Sequence, residues 1–213
     1  MAELTITTFL SLDGVMQGPG GPSEDPSGGF ALGGWVFPYA DEGMGNALIE
    51  IFSKADAFLL GRTTYDIFYD YWPKVTDPGD PIAGALNSLP KFVASRTRTE
   101  FSWKGTSAVR DVVKEAADLK RRFPREVQVH GSCGLAQTLI EKDLIDEYRL
   151  LTYPVVLGSG KRLFGSGAIP GALTLVRSHT TGSGIVISVY RRGGKLQTGS
   201  FDLQESAPGT VSR

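Results

Sequence analysis

The chain has few of the residues that mark several large functional classes. One cysteine in 213 residues excludes an internal disulfide and fits a reducing cytoplasm. Two histidines, His130 and His179, are too few and too isolated for a metal site. Lys+Arg 22 against Asp+Glu 23 leaves a net charge of -1, without the basic surplus of a nucleic-acid binder. No apolar run approaches the ~20 residues that span a bilayer. Met1-Ala2-Glu3 lacks the basic segment and apolar stretch of a signal peptide, so the expected location is cytoplasmic.

What is present is an apolar fraction of 41%, enough for a sizeable core, and 27 glycines, which imply many tight turns between short elements. "LTITTFLSL" (4–12) alternates threonine with large apolar residues as a strand does, and Asp13-Gly14 ends it. Residues 17–34 form a long aperiodic loop, and the stretch 17–40 is a candidate lid. A helix is expected over 41–54, with Met44, Leu48, Ile51 and Phe52 on its apolar face. A strand follows over 57–60, then a helix from about Thr64 and a loop over 73–90. A third strand is expected over 91–95 and a helix over 107–122, where Val109, Val112, Val113, Ala116 and Leu119 share one face. Next come a strand over 126–131, a helix in "SCGLAQTLIEKD" and a strand over 148–156. A late antiparallel pair is expected over 174–177 and 185–191. This alternation predicts one α/β domain over 1–192: a three-layer sandwich, its central sheet mainly parallel with an antiparallel C-terminal hairpin. Residues 193–213 read as a polar extension.

Three of the expected strands end in groups suited to an anion: Gly61-Arg62-Thr63-Thr64, Ser95-Arg96-Thr97 and Gly131-Ser132-Cys133-Gly134-Leu135. Glycine permits close backbone approach, free amides at a helix start donate to phosphate oxygens, and arginine offers a planar fork. Each segment alone fits ordinary strand-to-helix punctuation as well, with Ser132 as a helix cap. In a parallel sheet, however, all three ends share one edge and can serve one extended polyphosphate.

In this order the segments resemble the dihydrofolate-reductase-like superfamily. "DAFLLGRTTYDIF" is similar to its strand–Gly-Arg-Thr–helix segment, "KFVASRT" to its next strand, and "VQVHGSCGLAQTLI" to its later strand, glycine turn and helix. "LIDEYRLLTYPVVLGSGKRLF" resembles more closely the C-terminal reductase domain of bifunctional riboflavin-biosynthesis deaminase/reductases and its stand-alone relatives. The likeness covers about residues 3–192. It implies a homodimeric, NADPH-dependent reductase that passes hydride to a small heterocyclic, carbonyl or imine substrate, pterin- or riboflavin-precursor-like. By the same resemblance, Gly61, Arg62, Thr63 and Thr64 hold the NADPH phosphates, and Ser95 and Arg96 flank the adenosine ribose and its 2'-phosphate. Gly131, Ser132, Gly134 and Leu135 underlie the pyrophosphate, with Thr8, Phe9 and His130 near the nicotinamide.

The pattern breaks at the first long helix. Dihydrofolate reductases carry a carboxylate where this chain has Met44-Gly45-Asn46, so folate reduction does not carry over and no catalytic acid is named. The zinc-deaminase ligands H-x-E and C-x-x-C are missing too. A catalytically silent NADPH-binding sensor or assembly module is therefore the alternative. "GSGK" (158–161) is not a nucleotide-triphosphate loop, since Val155 and Arg162 stand where Gly and Ser or Thr belong. Cys133 reads as a nucleophile or a small packing residue. His130 is a candidate proton donor, and Trp35, Tyr39 and Trp72 are either stacking platforms for a planar substrate or loop anchors.

Overall fold

A computed structural model describes residues 1–165 and 168–200. Of the polar extension expected over 193–213, residues 201–213 lie outside the described residues. The central sheet has eight strands: β1 (Glu3–Ser11), β2 (Ala55–Gly61), β3 (Lys91–Ala94), β4 (Thr106–Val109), β5 (Glu126–His130), β6 (Glu147–Tyr153), β7 (Ala172–Thr180) and β8 (Val186–Gly194). Their spatial order is β4-β3-β2-β5-β1-β6-β8-β7. The six strands from β4 to β6 are parallel, while β8 joins β6 and β7 joins β8 antiparallel. The helices are α1 (Glu42–Ser53), α2 (Arg62–Tyr71), α3 (Pro81–Ser88), α4 (Val112–Arg122) and α5 (Cys133–Glu141). This is the expected mainly parallel sandwich with its antiparallel C-terminal strands.

The apolar run in β2 shows why the middle of the sheet reads as continuous hydrophobicity. Ala57 and Leu59 pack on one face with α4 and α5, against Ala116, Leu119, Leu135 and Leu139. Phe58 and Leu60 pack on the other, against Phe52 of α1, Tyr65 of α2 and Leu86 of α3. All four β2 side chains are fully buried. A parallel strand covered on both faces has no polar face to show, and each such Leu or Phe contributes roughly 1.5–3 kcal/mol.

Two elements differ from the sequence expectation. The loop expected over 73–90 contains α3, whose start is fixed by Asp80: its Oδ1 accepts from the Ile82 and Ala83 amides at 2.9 Å each, with Pro81 at the first helical position. The helix expected over 107–122 is two elements. Residues 106–109 pair with β3 as β4, and α4 starts after Asp111, whose carboxylate accepts from the Lys114 amide. Val109 is thus a strand residue that shares the buried face of α4 without belonging to the helix.

Lys91 ties α3 to β3. It is fully buried, donates to the carbonyls of Leu86 and Leu89 at 2.7 and 2.8 Å, and stands over the Trp103 ring. Burial pulls its pKa down to about 8. At the opposite end of the strands from the cleft described below, Arg149 is buried between the carboxylates of Glu126 and Glu147, 2.7 Å from each.

Candidate functional site

A cleft of about 1730 Å³ opens beyond the carboxyl ends of β1, β2, β3, β4 and β5. It is larger than the ~300–1,000 Å³ of an ordinary small-ligand pocket, so it has room for a dinucleotide and a second ligand. The chain topology brings to it every residue expected to bind the cofactor: Thr8 and Phe9 from β1, Gly61, Arg62, Thr63 and Thr64 from the β2–α2 turn, Ser95 and Arg96 after β3, and His130, Gly131, Ser132, Gly134 and Leu135 from the β5–α5 turn.

The two turns lock together. Ser132 Oγ accepts from the Gly61 amide at 2.9 Å and donates to Thr64 Oγ1 at 2.6 Å. Gly61 has an ordinary extended backbone, but a Cβ there would stand 2.6 Å from Ser132 Oγ and 2.7 Å from Ser132 Cβ. This glycine admits a neighbouring side chain, and its amide is already engaged. That corrects the idea that it exists for backbone approach to a phosphate. Ser132 is not a side-chain cap either: its hydroxyl bonds across to β2, and its backbone sits at φ 64 beside Gly131 at φ 58. A left-handed serine costs about 1–2 kcal/mol, which the cross-strand bonds help offset.

Helix capping sorts the five helices. Asp41, Asp80 and Asp111 cap α1, α3 and α4 through their side chains. α2 and α5 have no side-chain cap, and both begin at the cleft wall. Their first-turn amides and positive dipole ends are therefore available to an anion. Arg96 is exposed and has no ion-pair partner among the described residues. Arg110, after β4, donates weakly to the Ser95 carbonyl at 3.4 Å and lines the same wall. It went unseen in the sequence because β4 was absorbed into a helix. Arg62 is less free than expected, since Asp66 takes its guanidinium at 3.0 Å. Thr7, also missed, lines the cleft with Thr8; both are buried, and neither hydroxyl has a hydrogen-bond partner among the described residues.

His130 is walled in. Its ring stacks on Phe52 at 4.4 Å, and its Nε2 faces Gln128 Oε1 at 3.0 Å. Burial, with Arg149 adding a smaller push, lowers its pKa to about 3. Burial thus favours the neutral ring, which argues against a charged imidazolium as the proton donor. Burial pushes the Cys133 thiol up, which argues against an activated thiolate. Trp35 and Tyr39 anchor the loop instead of facing the cleft: both rings pack on Tyr153, and Trp35 Nε1 donates to the Gln17 carbonyl at 2.8 Å. Trp72 does line the cleft.

The loop before α1 is held by Gln17, buried and fully engaged. Its Nε2 donates to the carbonyls of Asp25 and Ser27, and its Oε1 accepts from the Lys161 amide. Lys161 Nζ closes the ring onto Asp25 at 2.6 Å. Asp13, at the end of β1, accepts from the amides of Leu157 and Gly158 and pairs with Arg162, so the "GSGKRLF" segment is fastened to the first strand.

A family model described as the RibD C-terminal domain matches residues 2–187. The chain belongs to that family. A curated relative, the uncharacterized protein YyaP of Bacillus subtilis (strain 168), is 30% identical over 194 residues, covering 90% of this chain and 96% of the relative. Among solved RibD-like structures, one from Shewanella sp. PV-4, named for a proposed place in riboflavin biosynthesis, is 25% identical with a TM-score of 0.62 and covers 90% of this chain and 99% of its own. A pyrimidine reductase-like protein of Corynebacterium diphtheriae is 16% identical at TM-score 0.64, covering 90% and 92%. A deaminase/reductase of Thermotoga maritima is 12% identical at TM-score 0.59, covering 90% of this chain and 56% of that one. The last two bear on fold alone.

Proposed function

We propose that the cleft binds NADPH and that the protein is an NADPH-dependent reductase of a small carbonyl, imine or heterocyclic acceptor. The observation that carries this reading is the convergence of two uncapped helix starts and the unpaired Arg96 on one strand-end cleft, with two partnerless threonine hydroxyls at its floor. The donor set fits the cofactor. The amides opening α2 and α5 would hold the pyrophosphate, with Thr63 and Thr64 hydroxyls adding donors. Ser95, Arg96 and Arg110 would take the adenosine ribose and its 2'-phosphate, where a second cation strengthens preference over NADH. Thr8 and Phe9 would border the nicotinamide, and the Thr7 and Thr8 hydroxyls would gain carboxamide partners.

When bound, NADPH supplies a hydride. The chain's own part is to fix the acceptor against the nicotinamide face and keep water away. His130 would shape the cleft as a neutral ring, and one water held beside the acceptor, with bulk solvent excluded, would supply its proton. A cytoplasmic location and a homodimer complete the reading. β7 supports the dimer: it is an edge strand with Leu175 and Val176 each 53% exposed, surface that a second copy would cover.

The missing acid on the inward face of α1 favours the silent sensor as a second reading. One assay separates them. NADPH consumption with pterins, flavin precursors and simple carbonyls or imines is expected for a reductase; tight NADPH binding with no consumption on any acceptor favours the sensor.

A further inference from the structure

The donors come from the turns that follow β2, β3, β4 and β5, while the α1 and α2 side chains that line the cleft have different chemistry. Met44, Leu48 and Phe52 stand four residues apart along α1 and all line the cleft. Phe68 and Tyr71 of α2 line it too, and Phe52 shares an apolar cluster with Phe68 and Trp72. Phe37, from the loop before α1, completes the mouth. None of these side chains carries a charge. Of the cations lining the cleft, Arg62, Arg96 and Arg110 follow β2, β3 and β4, while Lys161 is paired to Asp25 on the loop.

Phe37 is 80% exposed and Tyr71 61% exposed, although both belong to a concave wall. Large apolar groups left uncovered inside a cleft mark a surface awaiting an apolar ligand. A phosphate brought against Met44, Leu48 and Phe52 would lose its hydration and find no cation there.

Building on the reductase reading of this cleft, we propose that its α1–α2 half selects a flat, uncharged, largely apolar acceptor, an aromatic or fused-ring carbonyl compound, and rejects phosphorylated sugar conjugates. The chain then shares its fold with RibD-like reductases and differs from a phosphoribosyl-pyrimidine reductase in what it admits beside the nicotinamide.

Calorimetric titration of the full chain, with and without saturating NADP⁺, tests this with two probes: 2-acetylnaphthalene and a phosphoribosylaminopyrimidine. The naphthyl ketone is expected to bind more tightly than the phosphorylated probe. Leu48→Asn is expected to weaken the ketone about tenfold, the loss of roughly two buried methylene equivalents. Tyr71→Ser, at an exposed position, is expected to weaken it in the same direction and guards against a folding defect in the first variant. Tighter binding of the phosphorylated probe, or ketone affinity unchanged in both variants, overturns the proposal. NADPH titrated on the same samples reports separately: ketone binding without NADPH binding removes the cofactor reading while supporting the selectivity of the pocket.

Discussion

Replacing Gly61 with alanine tests how the two glycine turns create the donor wall. The new Cβ would stand 2.7 Å from Ser132 Cβ, and rotating the serine hydroxyl away cannot relieve that contact because Cβ is fixed by the backbone. Reaching the 3.4 Å of an ordinary contact requires the ends of β2 and β5 to separate by about 0.7 Å. Overpacking of this kind costs about 1–3 kcal/mol. The Gly61 amide and Thr64 hydroxyl would also lose their bonds to Ser132 Oγ, about 1 kcal/mol each. The expected loss is thus about 3–5 kcal/mol, read as a lower urea midpoint at unchanged slope. NADPH affinity should fall with it. Gly134→Ala is the control, since nothing lies within 4 Å of the added methyl and the position opens α5; it should be neutral or slightly stabilising. Gly61→Ala combined with Ser132→Gly should recover the steric part, because the opposing Cβ is gone and φ 64 suits glycine. A cost below about 0.5 kcal/mol for Gly61→Ala alone would refute the reasoning.

Arg96→Ala and Arg110→Ala should each weaken NADPH by roughly 1.5–3 kcal/mol while barely changing NADH, and Arg62→Ala should do less because Asp66 already holds that guanidinium; equal losses for both nucleotides would remove the 2'-phosphate from this wall. His130 gives a pH signature. Its folded pKa, about 3, lies below its ordinary 6.5, so the unfolded chain takes up a proton that the folded one refuses and stability falls as pH drops through 6.5. Its contribution between about pH 7.5 and 5 is a loss of about 2 kcal/mol, seen in urea midpoints of the natural chain and missing from those of the His130→Gln variant. Asp13 acts at lower pH: hydrogen bonds from Ser11 and from the Leu157 and Gly158 amides hold its pKa at about 2, below the ordinary 3.8. Its stabilisation is therefore full above about pH 4 and fades from there towards pH 2, and Asp13→Asn should flatten that window in acid titrations followed by circular dichroism.

The parts of the fold legible in the sequence were those whose local signals agree with their burial. β2 is apolar without alternation because both its faces are covered, and Gly61-Arg62 marks its exit clearly. β4 was illegible because Val109 lies three residues before Val112, so strand and helix merge into one helical-looking stripe, and Arg110 was lost with it. α3 is only eight residues in a segment dominated by Pro, Gly and Asp, although Asp80-Pro81 carries a capping signal. At the site, residue types pointed to turns that meet at one cleft but not to what each atom does there. Only the three-dimensional arrangement shows that Ser132 spends its hydroxyl on Gly61 and Thr64, that Asp66 engages Arg62, and that Phe52 and Gln128 enclose His130. Those pairings join residues 68 to 78 positions apart, or, for Arg62 with Asp66 and Gln128 with His130, depend on which face of a helix or strand they occupy.

The central claim is that the strand-end cleft is a nucleotide site built for a 2'-phosphate. Calorimetric titration of the full chain with NADPH and then with NADH tests it most directly. The account predicts one saturable site per chain and a preference for NADPH of at least about tenfold, or about 1.4 kcal/mol. Equal affinity for the two nucleotides, or no saturable binding of either, would contradict it.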